Sequence, residues 1–158
     1  MYERKFIHVG EIYVAKSPME IATVLGSCVG ICFFDRAEKI GALNHYLLPL
    51  WNGNGLQSPK FGNISIPKMI DQMLDAGCTK RNMEAKLFGG ANINQTSIEN
   101  MMIGRKNIII AKEILAKNNI PITAEDSGGL KGRRIVFVSN TNHVYLRYTG
   151  DQKDANGN

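Results

Sequence analysis

The chain is poor in cysteine, with Cys28, Cys32 and Cys78 as its complement and no CxxC pair among them. So small and odd a number excludes a disulfide framework. Zinc sites need four nitrogen or sulfur donors in recognisable pairs, and no clustered histidine pair makes up the lack, so no metal site is expected. Long apolar runs are missing too. Nothing approaches the roughly 18 uninterrupted apolar residues of a membrane span, so no direct membrane insertion is expected. The N-terminus, Met1-Tyr2-Glu3-Arg4-Lys5, is charged and unlike a signal peptide, which gives a cytoplasmic expectation. Lysines and arginines are scattered, with small clusters only at Lys80-Arg81 and Lys131–Arg134 despite a net charge of +5. A nucleic-acid surface would want a concentrated basic face with interleaved aromatics, and none is present. The mild positive balance suits docking on an acidic protein surface.

What is present fits a single domain. The 158 residues are enough to bury a sizeable core, and an apolar fraction of 44% argues against disorder. Short apolar runs at 6–10, 12–15, 21–25, 29–34 and 40–48 predict strands, the run 29–34 buried on both faces. Because Asp35–Lys39 is a short connection, the strands on either side of it should pair as an antiparallel hairpin. A loop is expected over 50–62, mobile and, because it directly follows the strand that bears His45, placed as a rim or lid over the site there. Helices are predicted over 67–76, with Pro67 in the first turn, and over 103–119, with Ile103, Ile110, Ile114 and Leu115 inward. Strands at 85–88, 122–125, 134–139 and 144–148 complete an α+β domain of mixed, mostly antiparallel sheet with both helices on one side. The domain is expected to span 1–148, followed by a disordered tail over 149–158.

One stretch carries chemistry. Thr23-Val24-Leu25-Gly26-Ser27-Cys28 ends a strand in a Gly-Ser turn, and His45 follows on the hairpin partner. A thiol with a reference pKa near 8.5 is only roughly a few per cent thiolate at neutral pH, so it needs a base. The hairpin brings the start of one strand to the end of the other and sets Cys28 near His45. Backbone N–H groups around Gly26 and Ser27 are candidates for holding an oxyanion. The competing reading makes Cys28 a small buried hydrophobe. Asn44 adjoins His45, but on a strand it points to the opposite face and cannot orient the imidazole. His8 and His143 read as surface or packing residues, and Cys78 as structural. Cys32 shares the strand face of Cys28. The paired glycines Gly89-Gly90 and Gly128-Gly129 read either as loops where backbone approaches a substrate or as ordinary turns. Gly89-Gly90 lacks the Gly-Lys-Ser/Thr of a nucleotide loop, and no cofactor is expected.

Four segments occur here in order: TVLGSCVGICFFD (Thr23–Asp35), GALNHYLLP (Gly41–Pro49), KLFGGAN (Lys86–Asn92) and AEDSGGLKGRR (Ala124–Arg134). Together they resemble the chemoreceptor glutamine deamidase family, CheD, over about Ile7 to Tyr148. The resemblance implies a layered α/β/β, cysteine-hydrolase-like fold. It also implies Cys28 as nucleophile, His45 as base and Thr23 as support for the histidine. The implied reaction converts glutamines in the cytoplasmic helical region of methyl-accepting chemotaxis receptors to glutamate, with the adaptation phosphatase CheC as a possible regulatory partner. Gly104-Arg105-Lys106-Asn107 departs from the family pattern by a lysine in place of an arginine. Receptor glutamyl methylesterase activity at the same site, hydrolysis of small amides, and a non-catalytic adaptor role are the alternatives.

Overall fold

A computed structural model describes residues 2–93 and 98–150. Among the described residues nine strands form two sheets. The first has the order β1 (Glu3–Phe6), β3 (Met19–Leu25), β8 (Gly132–Val138), β9 (His143–Thr149). The second has the order β2 (Ile12–Ala15), β5 (Ile40–Asn44), β4 (Val29–Asp35), β6 (Met83–Gly89), β7 (Ile122–Ser127). Among the described strand pairs, β1–β3 and β6–β7 are parallel and the rest antiparallel, with one further parallel bridge between Leu48 and Phe61 outside the strands. Helices α1 (Gly62–Asp75) and α2 (Ile98–Lys117) lie together against the five-stranded sheet, which is therefore the middle layer of three.

Strand alternation explains the layering. On β4, Val29, Ile31 and Phe33 face the helices with Ile66, Met69, Ala111 and Leu115. Cys28 and Cys32 face the other way, into a second apolar layer with Ile21, Leu25, Ile135 and Phe137 from the four-stranded sheet. Every residue of β4 is buried, as the continuous apolar run implied. The predicted hairpin is present, with β4 and β5 pairing Asp35 to Ile40 through Cys32 to Leu43.

Several boundaries differ from expectation. The first strand is Glu3–Phe6, and residues 7–11 instead cross from one sheet to the other. The β5 ladder stops at Asn44, because the Asn44 side chain takes the Ile31 N–H (2.7 Å) in place of its own backbone. Tyr46 then resumes pairing with Val29. Helix α1 starts five residues before Pro67, at Gly62, so this proline sits in the helix interior and one ladder hydrogen bond is missing there. The chain over 50–60 forms no helix or strand, as expected of a loop. Strand β9 includes Thr149, the first residue of the expected tail, and 151–158 lie outside the described residues.

Candidate active site

Two crossings between the sheets meet at one end of the sandwich. The turn Gly26-Ser27-Cys28 carries the chain from β3 to β4, and residues 7–11 carry it from β1 to β2. Cys28 and His45 are set by the β4–β5 register. Val29 and Tyr46 exchange both backbone hydrogen bonds (3.1 and 3.0 Å). Continued by one residue, that register places Gly30 opposite His45 and Cys28 opposite Leu47. Cys28 and His45 are thus diagonal neighbours on the inter-sheet face, positions about 7–8 Å apart in a regular pair, Cβ to Cβ somewhat less. Gly30, between them, puts no side chain in the way.

Thr23 reaches the same place from the opposing sheet. Its fully buried hydroxyl donates to the Ile7 carbonyl (2.8 Å) and lies 2.7 Å from His45 Nδ1. A hydroxyl has one proton, and the Ile7 carbonyl can only accept. Thr23 therefore accepts from Nδ1–H, which fixes the imidazole tautomer with a lone pair on Nε2. Nε2 is buried and has no hydrogen-bond partner among the described residues. Buried polar atoms are rarely left so. The crossing 7–11 holds the His45 main chain: Gly10 N–H donates to the His45 carbonyl (2.8 Å), and His45 N–H to Glu11 O (3.2 Å). Asn44 faces the helices and bonds Ser65 Oγ (2.9 Å), so its exclusion as an orienting group holds.

Burial governs the charges. It pushes the Cys28 thiol up to about 11, and pulls His45 down to about 4, helped by His8 and opposed by Glu11. At rest the pair is thiol and neutral imidazole. Cys32, four residues on, is fully buried and its thiol is pushed higher still by desolvation, so it is inert. Cys78 is buried against the helices, with its thiol raised to about 12.

The paired glycines do converge on this site. Gly90 N–H donates to the Cys28 carbonyl (2.9 Å), and Gly128 N–H to the Gly89 carbonyl (2.8 Å). Gly89 has φ +108°, and any side chain there would collide with the Cys28 carbonyl. Gly90, Gly128 and Gly129 line a small cavity of about 140 Å³ with Asn92 and Arg105. Gly26 and Ser27 form the turn itself, and their carbonyls accept from Ala91 N–H (3.0 Å) and Asn107 Nδ2 (3.0 Å). A larger cleft of about 570 Å³ opens over His45 and Thr23, lined by Phe6, Ile7, His8, Val9, Val24, Leu47 and Lys60. His8, expected at the surface, is both exposed and on this cleft, paired with Glu11 (3.2 Å). Lys60, at the end of the expected rim loop, lies on the cleft as well. His143 is exposed at the start of β9.

Two residues that sequence reasoning missed hold this arrangement. Arg133, read only as part of a basic cluster, is 3% exposed. It donates to Asp126 Oδ1 (2.8 Å) and the Gly128 carbonyl (2.9 Å), tying the four-stranded sheet to the glycine loops. Asn107 is fully buried on α2, between Ser27 and Leu47. Its signal was a polar residue four after Ile103 and three before Ile110, within the inward apolar stripe.

Comparisons with known proteins identify the family. The profile of the family described as CheD chemotactic sensory transduction matches residues 47–148. A protein of Sulfurimonas denitrificans named "Probable chemoreceptor glutamine deamidase CheD" is 51% identical over 148 residues, 93% of this chain and 95% of its own. One of the same name from Trichlorobacter lovleyi is 42% identical over 141 residues, 89% of this chain and 88% of its own. Among solved structures, the Bacillus licheniformis hypothetical protein YfiH covers 72% of this chain and 49% of its own at 13% identity, with a TM-score of 0.48. That overlap is too slight to bear on the fold, which rests on the strand register. Identity at this level along nearly the whole length settles the matter: the chain belongs to the CheD family.

Proposed function

We propose that this protein is a cysteine-dependent protein-glutamine deamidase that acts on the cytoplasmic helical region of chemotaxis receptors. The observation that carries the reading is His45: its Nδ1 is held by Thr23, and its Nε2 lone pair is left free on the face that bears Cys28. Names of relatives point to the same substrate class, since those proteins are called chemoreceptor glutamine deamidases.

The chemistry follows from the neutral resting pair. As Cys28 Sγ attacks the carboxamide carbon of a glutamine, its proton passes to His45 Nε2. Burial opposes each charge by itself. The transfer, however, creates both charges together, and their attraction offsets part of the desolvation. The carbonyl oxygen becomes an oxyanion, which backbone N–H groups of the 26–28 turn are placed to receive. His45 then gives its proton to the leaving nitrogen, ammonia departs, and a thioester remains. Water, deprotonated by the same imidazole, hydrolyses the thioester to glutamate and restores the thiol. The cleft over His45 and Thr23 is where the glutamine-bearing segment enters, with exposed Phe6, Val9, Val24 and Leu47 on its walls. Regulation by the phosphatase CheC and a cytoplasmic location belong to the same proposal. Among the described residues no helix is long and apolar enough to cross a membrane.

The test is mass spectrometry of a purified receptor cytoplasmic fragment incubated with the protein or with Cys28→Ala. Wild type should add about one mass unit at defined glutamines, and Cys28→Ala none. Conversion that survives Cys28→Ala would overturn the mechanism.

A further inference from the structure

We propose that Asn107 is a positioning residue that aims the oxyanion-binding N–H groups beside Cys28 by clamping the Ser27 carbonyl from helix α2. The proposal deepens the deamidase reading and rests on it for the natural substrate, but its test does not need that substrate.

Three consecutive carbonyls in the nucleophile's turn are held from behind. Gly26 O accepts from Ala91 N–H (3.0 Å), Ser27 O from Asn107 Nδ2 (3.0 Å) and Cys28 O from Gly90 N–H (2.9 Å). All peptide bonds here are trans, so each N–H points opposite to the carbonyl of the residue before it. With the Gly26 and Ser27 carbonyls turned toward the body of the protein, the Ser27 and Cys28 N–H groups turn toward the site. Neither the Ser27 nor the Cys28 N–H donates to a backbone carbonyl of a described residue. Successive N–H groups in a tight turn form a concavity for an anion, placed here against the reacting sulfur.

The middle clamp is the only one of the three supplied by a side chain. Asn107 gives its second amide proton to Leu47 O (2.9 Å), two residues beyond His45. One amide group therefore ties the nucleophile's turn to the segment after β5 that carries His45. Its orientation is unambiguous: a flip would set Oδ1 against two carbonyl oxygens, whereas as placed Oδ1 simply lacks a partner among the described residues. The Tyr46 hydroxyl anchors the arrangement by donating to the Asn107 backbone carbonyl. An aliphatic residue here would continue the apolar stripe of α2 but strand both carbonyls.

The experiment compares two reactions of Cys28. Acylation by p-nitrophenyl acetate forms the S–C(acyl) bond through a tetrahedral oxyanion and expels p-nitrophenolate; the thiol proton goes to His45 and then to solvent. Alkylation by iodoacetamide forms an S–CH₂ bond and expels iodide, with the same deprotonation but no oxyanion. Asn107→Ala should slow acylation about tenfold or more while alkylation stays within about twofold, because misplaced oxyanion donors penalise only the first. Equal losses in both reactions would mean general disorder of the site and would overturn the proposal, as would no loss in either. If Asn107→Ala does not fold, Tyr46→Phe loosens the same clamp without touching Ser27, and the same selective loss is required. Selective loss together with no receptor conversion by wild type would leave the positioning role standing and remove the receptor as substrate.

Discussion

Asn44 ends β5 and His45 follows it directly, yet they do opposite work because they face opposite sides of the middle sheet. Asn44 points toward the helices and is fully buried, with Oδ1 on the Ile31 N–H and Nδ2 on Ser65 Oγ. His45 points between the sheets and keeps one ring nitrogen satisfied and the other open. The helix side uses a polar residue to complete a network, so that its hydrogen bonds end in structure. The sheet side leaves a polar atom unpaired at some cost in stability, and that vacancy is where a proton can go. Asn44 is thus used up by the architecture, whereas His45 Nε2 is left available to take the thiol proton that the proposed mechanism sends to it.

Replacing His45 should separate the two roles most widely. His45→Gln should lower deamidation by about 10⁴-fold, since the proposed mechanism uses the imidazole as base and acid in successive steps. The fold should gain acid resistance. In the wild type, burial holds the folded imidazole at about 4, against an ordinary value of 6.5. The unfolded chain therefore takes up a proton, and the folded one does not, as pH falls through that window. This contribution to stability is present above 6.5 and lost toward 4, and amounts to about 3 kcal/mol. Denaturant melts at pH 7 and pH 4 should show the wild type losing about that much more than His45→Gln. Equal losses would mean that the imidazole is not held neutral by its surroundings.

Thr23→Val sharpens the contrast from within the site. It keeps the shape and removes the oxygen that accepts from Nδ1–H, freeing the ring to take the wrong tautomer or turn. We expect kcat to fall by about 10²-fold with KM little changed, well short of the loss for His45→Gln. A fall confined to KM would place Thr23 in binding rather than orientation.

What the sequence disclosed divides along the same line. Patterns that repeat were legible: the doubly buried run of β4, the short Asp35–Lys39 link that makes the hairpin, and part of the apolar stripe of α2, where Leu115 is buried and Ile110 and Ile114 pack half-buried on the core while Ile103 does not join it. From these alone Cys28 and His45 come together, because strand register is a local property. Crossings between sheets were not legible. Residues 7–11 look like a continuation of β1, since nothing in Ile7-His8-Val9 announces that the Ile7 carbonyl is needed by Thr23 and the Glu11 carbonyl by His45. The same holds for Arg133, where a buried guanidinium on β8 is indistinguishable in sequence from an exposed one. Its partners come from β7 and from glycine loops remote along the chain. Pro67 failed for a different reason: local preference places proline in the first turn, and packing of Ile66 and Met69 against the sheet outweighs one missing helical hydrogen bond.

The smallest expected effect tests the architectural half of the comparison. Asn44→Ala strands the buried Ile31 N–H and Ser65 Oγ, and should cost about 2 kcal/mol of stability by denaturant titration. The β4–β5 register near the site is held independently, by the paired backbone bonds of Val29 and Tyr46 and by the Gly10 and Glu11 contacts to His45. Activity per folded molecule should therefore stay within about threefold of wild type when assayed well below the melting temperature. A large drop in kcat with stability intact would show that the helix-side network steers the imidazole through the strand, and the two faces would then have to be treated as one device.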